Sequence, residues 1–176
     1  GALLPFCRVV AFYGNFYSAQ MGILGQYSSE RVIEKLKEEV THWKLADSTV
    51  KLIPAIHYIA VTAQRDSGID HMYRLRMPSD QINRAVEMAK KIDGLVFLDI
   101  QPGLSSLQLE LPKLKRYLSL PNVHLAIDPE YAIKTDSLMT KVIGTLDAAD
   151  INFASKFLAN LVTLYNLPPK ILVVHR

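Results

Sequence analysis

The chain has 176 residues, 49% of them hydrophobic and 21% charged, with a net charge of +3. That length predicts a single domain over 1–176 with a sizeable core, and the apolar content excludes low-complexity disorder. A single cysteine, Cys7, excludes a disulfide framework or thiolate metal cage; the basic residues are too scattered for a nucleic-acid footprint, and no apolar run reaches the roughly 18 residues of a membrane span.

In chain order, Arg8 to Tyr13 is a short apolar run of strand formers that stops at Gly14-Asn15. Ser28 to Asp47 has helical spacing, with Val32, Leu36, Val40 and Trp43 on one stripe and Ser28 or Ser29 as N-cap. Val50 to Tyr58 predicts a strand in which Pro54 marks a bulge or an edge. Ser79 is placed to cap a second helix whose inner face carries Ile82, Val86, Ala89 and Ile92, with Gly94 just past its end. Leu95 to Asp99 is a third strand. Leu107, Leu111, Leu114 and Leu118 give Ser105 to Leu118 a helical pattern, which Pro112 is expected to break. Val123 to Asp128 is a fourth strand. Asp147 caps a long helix to Asn166, with Ile151, Phe157, Leu158, Leu161 and Tyr165 inward and Pro168-Pro169 as its stop. Ile171 to His175 is a fifth strand.

Alternating βαβ units with strands apolar on both faces predict an α/β fold built on a parallel sheet with right-handed crossovers. Connections from helix to strand are short. Those from strand to helix at Gly14–Tyr27, Ile59–Pro78 and Pro129–Leu146 are long, against about 2–6 residues for ordinary connections of this kind. Length is therefore concentrated at the carboxyl ends of the strands, the functional end of parallel α/β proteins. A complete (β/α) barrel takes about 250 residues, so five strands predict a partial or truncated TIM-type barrel, or an open sheet. The last strand leaves an edge through which copies of the chain can pair as a homo-oligomer.

Four strand ends carry polar residues: His57-Tyr58, Asp99 to Gln101, Asp128 to Tyr131, and His175-Arg176. Parallel strand ends converge on one rim, and paired carboxylates there suit glycoside hydrolysis. One acid with a raised pKa protonates the leaving oxygen, while the other attacks the sugar or activates water. Asp99, Asp128 and Glu130 are the candidate catalytic residues. Tyr13, Asn15, His57, Tyr58, Gln101, Tyr131 and His175 are the candidates for holding a carbohydrate or small polar ligand. The bland alternative has Asp99 and Asp128 merely binding loop amides. A further alternative is a divalent metal site for a hydrolase or isomerase, since His57, His175, Asp99 and Glu130 are suitable ligand types, although no local H-x-x-E-H or H-x-H pattern marks them. No cofactor is expected: G-x-G-x-x-G, G-x-x-x-x-G-K-[ST] and G-x-S-x-G are all missing. The charged loop Thr62 to Arg76 is either a lid or a solvated loop holding internal ion pairs. Cys7 is expected to be structural, and His42, Trp43 and His124 to be packing residues.

Four segments carry a resemblance: Val10-Ala-Phe-Tyr-Gly14-Asn, Leu95-Val-Phe-Leu-Asp99-Ile-Gln-Pro-Gly103, Asn122 to Tyr131, and Leu167-Pro-Pro-Lys170 to His175. In these the chain resembles an uncharacterised group of bacterial envelope proteins and lipoproteins. The resemblance implies a barrel related to glycoside hydrolases, an extracytoplasmic setting, secreted or lipid-anchored, and further strands after His175. Expected functions are thus a carbohydrate-active hydrolase, a non-catalytic glycan or small-ligand binding module, or a metal-dependent hydrolase or isomerase.

Overall fold

The computed structural model describes residues 2–134 and 143–175. In chain order its elements are β1 (Cys7–Asn15), β2 (Ser18–Gly22), α1 (Ser29–Ala46), β3 (Lys51–Ala63), β4 (Arg74–Arg76), α2 (Ser79–Lys90), β5 (Leu95–Ile100), α3 (Leu107–Leu118), β6 (Val123–Ile127), α4 (Ala148–Tyr165) and β7 (Leu172–Val174). Strands β1, β3, β5, β6 and β7 lie side by side in chain order, and every neighbouring pair among them is parallel. Short antiparallel strands extend this sheet to seven: β2 on β1 and β4 on β3. Among the described residues the sheet is open and does not close into a barrel.

Chain-order pairing with right-handed crossovers places every crossover helix on the same face. The packing agrees. One large core joins residues of all four helices to Val10, Ile56, Tyr58, Val96, Leu98, Ile100, Val123, Leu125 and Ile127. The alternate residues Ile53, Ala55, Leu95, Phe97 and Ala126 form a second, smaller cluster with Cys7, Val9, Ile171 and Val173, and among the described residues no helix contributes to it. Period-2 alternation explains the division: successive side chains point to opposite faces. The helix-free face is apolar at its lower end and polar at the carboxyl ends of the strands.

The helices form where their sequences demand. Ser28 accepts from the Arg31 amide, and Val32, Ile33 and Leu36 are buried beneath α1. In α4 the side chains of Asp147 and Asp150 form a reciprocal capping box, and Asn166 closes the helix in the left-handed conformation (φ 49°). In α2 the first helical residue is Ser79, with Pro78 in the cap position and no side-chain cap.

Several expectations are corrected. Pro112 does not break α3, which runs unbroken through it. The proline and Gln108, whose carbonyl loses its amide donor, are both exposed, so water can replace the missing bond. Pro54 marks neither bulge nor edge. It pairs with Val10 in unbroken register, while the ladder to β5 begins only at Ala55, and the irregularity falls at Ile59–Val61. Strand β3 continues to Ala63, five residues beyond the expected end at Tyr58. His42 and Trp43 are not packing residues: the His42 side chain is 71% exposed, and Trp43 lies at the surface with the Arg8 guanidinium over its ring. Tyr165 is likewise exposed, beneath the ammonium of Lys115. His124 is buried as expected.

The first two long strand-to-helix connections are ordered structures. In the first, Gly14 and Gly22 face each other across the β1–β2 turn, and a Cβ on either would meet a backbone oxygen within 2.5 Å. In the second, Arg74 donates from both terminal nitrogens to Asp70 and from Nε to Glu110 of α3 (2.9 Å), and Arg76 donates twice to the same carboxylate (2.6 and 2.9 Å). Internal ion pairs, rather than a free lid, describe this loop. The connections after β3, β5 and β6 are also stitched together by main-chain bonds: Leu104 N donates to Met72 O, Gly103 N to Tyr131 O and Ile133 N to Gly103 O. Of the third connection, residues 135–142 lie outside the described residues, as does Arg176.

Candidate functional site

Register decides which polar residues meet. Tyr13 of β1 pairs with His57 of β3, Ile59 with Asp99 of β5, and Asp99 with Ala126 of β6, which pairs in turn with Val173 of β7. Alternation then puts Tyr13, His57, Asp99, Asp128 and His175 on the helix-free face, near the carboxyl ends of the strands. They surround a hollow of about 510 Å³ lined by Tyr13, His57, Gln101, Asp128, Glu130, Tyr131, Val173 and His175.

Asp99 is the centre of this group. It is fully buried, and its Oδ2 lies 3.1 Å from His57 Nε2 and 2.8 Å from His175 Nε2. Its other oxygen, Oδ1, is buried without a hydrogen-bond partner among the described residues. Burial pushes the Asp99 pKa up, but the bonds from His175 and His57 outweigh it and hold the carboxyl below its ordinary value. The pKa of His175 moves up, chiefly through its bond to Asp99. The rings of His57 and His175 meet edge to face at 5.3 Å, and Tyr13 packs edge-on to His57 at 4.9 Å. Phe97 backs His57 from the apolar side.

Asp128 behaves in the opposite way. It is 3% exposed, and its Oδ2 accepts only a long bond of 3.3 Å from Gln101 Nε2. Its Oδ1 is buried and has no partner among the described residues. Burial, then the negative charge of Asp99, then that of Glu130, push its pKa up to about 6, against the pull of His175. Gln101 is itself held by the Ala63 amide on its Oε1 (3.2 Å), and its Nε2 also reaches the Tyr13 hydroxyl at 3.4 Å. Burial and the nearby carboxylates raise the Tyr13 phenol, which therefore stays protonated as a donor.

Of the ten candidate residues, Tyr13, His57, Gln101, Asp128, Glu130, Tyr131 and His175 line the hollow, and Asp99 lies directly behind them. Two do not belong. Tyr58 follows His57 on the same strand and so faces the helices, fully buried and stacked on Phe16 at 4.6 Å. Asn15 is 2% exposed and ties the chain locally, donating to Ile59 O and accepting from Tyr17 N. Of the four residues suited by type to a metal site, Glu130 is not part of a close set among the described residues, whereas His57, Asp99 and His175 form one whose ligand-capable atoms all lie within 4.8 Å of one another. Its members are 42 and 76 residues apart, so no local spacing signals it. The wall residue Val173, and Phe97 behind His57, carry no polar mark, and strand parity was the only signal for them.

Comparison of the chain with protein-family models, with curated proteins and with solved structures gave no match.

Proposed function

We propose that the hollow is the active site of a hydrolase that acts on a carbohydrate or similarly polar substrate, on a sheet related to the (β/α) barrels. The observation that carries this reading is the unequal setting of two rim carboxyls: Asp99 meets two imidazoles, which hold its pKa down, while buried Asp128 has one long amide bond and a pKa pushed up to about 6. Asp128 is the proton donor to the leaving oxygen. Glu130, on the same rim, acts on water or on the sugar carbon as base or nucleophile. Asp99 tunes Asp128 through its charge. Tyr13, Gln101, His57 and Tyr131 offer ring edges and hydrogen bonds to hydroxyl groups. Chain-order parallel strands, helices on one face only and polar strand ends at the carboxyl rim support the barrel relationship. The resemblance to envelope proteins adds that substrate is met outside the cytoplasm.

A panel of polysaccharides and aryl glycosides, assayed for new reducing ends between pH 4 and 8, tests this reading. Cleavage should fall as pH rises through about 6, when Asp128 loses its proton. Asp128→Asn and Glu130→Gln should each lower the rate about 10²–10⁴-fold, with the circular dichroism spectrum unchanged. Full activity in either variant refutes its assignment. A binding module is the second reading, favoured by the neutral lining that Tyr13, Gln101 and Tyr131 provide; glycan binding by calorimetry without any turnover decides for it.

A further inference from the structure

We infer that His57, Asp99 and His175 form a binding site for one divalent transition-metal ion, open toward the hollow. The site does not depend on Asp128 acting as a proton donor.

Geometry is the first support. Ligand atoms about 2.0–2.2 Å from one ion and at right angles to each other lie about 3 Å apart. The two His–Asp spacings here are 3.1 and 2.8 Å, and the third falls within 4.8 Å. Both His–Asp spacings match that geometry, and two imidazoles with one carboxylate form a donor set that leaves further positions on the ion open.

The pattern of satisfaction is the second support. An ionised carboxylate has about four lone-pair sites spread over two oxygens, and a purely structural trio can use both. Instead both imidazoles aim Nε2 at the same oxygen, and Asp99 Oδ1 is left a buried orphan. Three ligand-capable atoms gathered this closely are what a shared cation requires. The orphaned Oδ1 of Asp99 and that of Asp128 then serve as acceptors for waters that the ion holds.

Access and selectivity follow from the surroundings. The Asp99 side chain is fully enclosed, whereas those of His57 and His175 are 13% and 28% exposed. The two histidines line the hollow, so an ion enters from there and keeps its free positions facing a substrate. Two nitrogens and one oxygen favour Zn²⁺, Fe²⁺, Co²⁺ or Mn²⁺ over Ca²⁺ and Mg²⁺, which prefer oxygen ligands only.

The test titrates chelator-treated protein with Zn²⁺ by calorimetry and with Co²⁺ by visible absorption, without substrate. One Zn²⁺ per chain is expected, together with the d–d bands of protein-bound Co²⁺. His57→Ala and His175→Ala should each weaken Zn²⁺ binding at least about tenfold. His42→Ala should leave it unchanged, because His42 sits exposed on α1 beside Glu39, remote in the chain from the trio. Circular dichroism identifies any variant that has lost its fold, and the Co²⁺ spectrum of the unaltered protein then decides alone. Absence of saturable Zn²⁺ binding, absence of Co²⁺ bands, or binding that persists in the folded His57→Ala/His175→Ala double variant overturns the site. Because no substrate is present, the result stands whether or not the hollow hydrolyses anything.

Discussion

Glu110 and Asp99 are equally enclosed, both with no exposed surface, yet the fold treats them in opposite ways. Glu110 accepts from two guanidinium groups and from the Ser105 hydroxyl, and both of its oxygens are used. Asp99 meets two imidazoles at one oxygen and nothing at the other. Its neighbour Asp128 is poorer still, with one long amide bond. A carboxylate surrounded by permanent cations is committed to structure; it can neither titrate near neutrality nor accept a new partner. A carboxylate with an unused oxygen, next to groups that change charge, is available for chemistry. The contrast separates the brace between β4 and α3 from the hollow at the end of the sheet.

The strongest way to break this contrast is to remove the two carboxylates in turn. Glu110→Ala removes the acceptor of four bonds, leaves the buried Arg74 with Asp70 alone, and strips Arg76 of both its bonds to that carboxylate; because arginine cannot shed its charge, it should cost about 3–5 kcal/mol in urea unfolding. Asp99→Asn keeps a polar side chain between the imidazoles and strands no guanidinium, so the loss in chelator-treated protein should be less than half as large. Equal losses would mean that Asp99 too is a structural ion.

A second experiment sharpens the comparison through pH. Asp128 has a raised pKa in the folded chain, about 6 against an ordinary 3.8, so the native state holds more protons than the unfolded state between those values. Its contribution to stability therefore declines as pH rises through that window, by about 3 kcal/mol in all. Asp128→Asn has no such titration. In chelator-treated protein the variant should gain stability relative to the parent from pH 4 to 6 and hold the advantage at pH 7. A constant difference across that range removes Asp128 from the role of poised acid.

His124 supplies a smaller effect of opposite sign. Burial, then the charge of Lys170, lower its pKa to about 4, and its Nδ1 accepts from the Ile171 amide, which requires the neutral ring. The unfolded chain takes up a proton first, so native stability is lost as pH falls below 6.5, by about 2 kcal/mol at pH 5. His124→Gln should flatten that slope in urea titrations at pH 5, 6 and 7. Retention of the slope in the variant would assign it to another group.

Much of the architecture was legible before any coordinates, and the parts that were not share physical causes. Strands β5 and β6 are apolar on both faces, and such runs between capped amphipathic helices admit little but a parallel sheet. Strands β2 and β4 went unread because Ser18–Gly22 and Arg74–Arg76 carry almost no strand propensity; their place is set by facing glycines and by Glu110 across the fold. The polar rim was readable from strand ends alone. Tyr58 was separable from His57 by alternation, whereas the fate of Asn15 depends on a bond to Ile59. Convergence of His57 and His175 on Asp99 needed the register of three ladders, which no single segment encodes.

The side-by-side succession of the five parallel strands bears on how the molecule comes together. Each parallel strand can dock on the parallel strand made just before it, so that part of the sheet grows one crossover at a time without skipping a strand. The imidazole that β7 brings to Asp99 is the exception, arriving across 76 positions of chain. Ligation or catalysis at the hollow thus doubles as a readout of completed assembly: a chain arrested before its final crossover can own a well-formed scaffold and still be chemically silent.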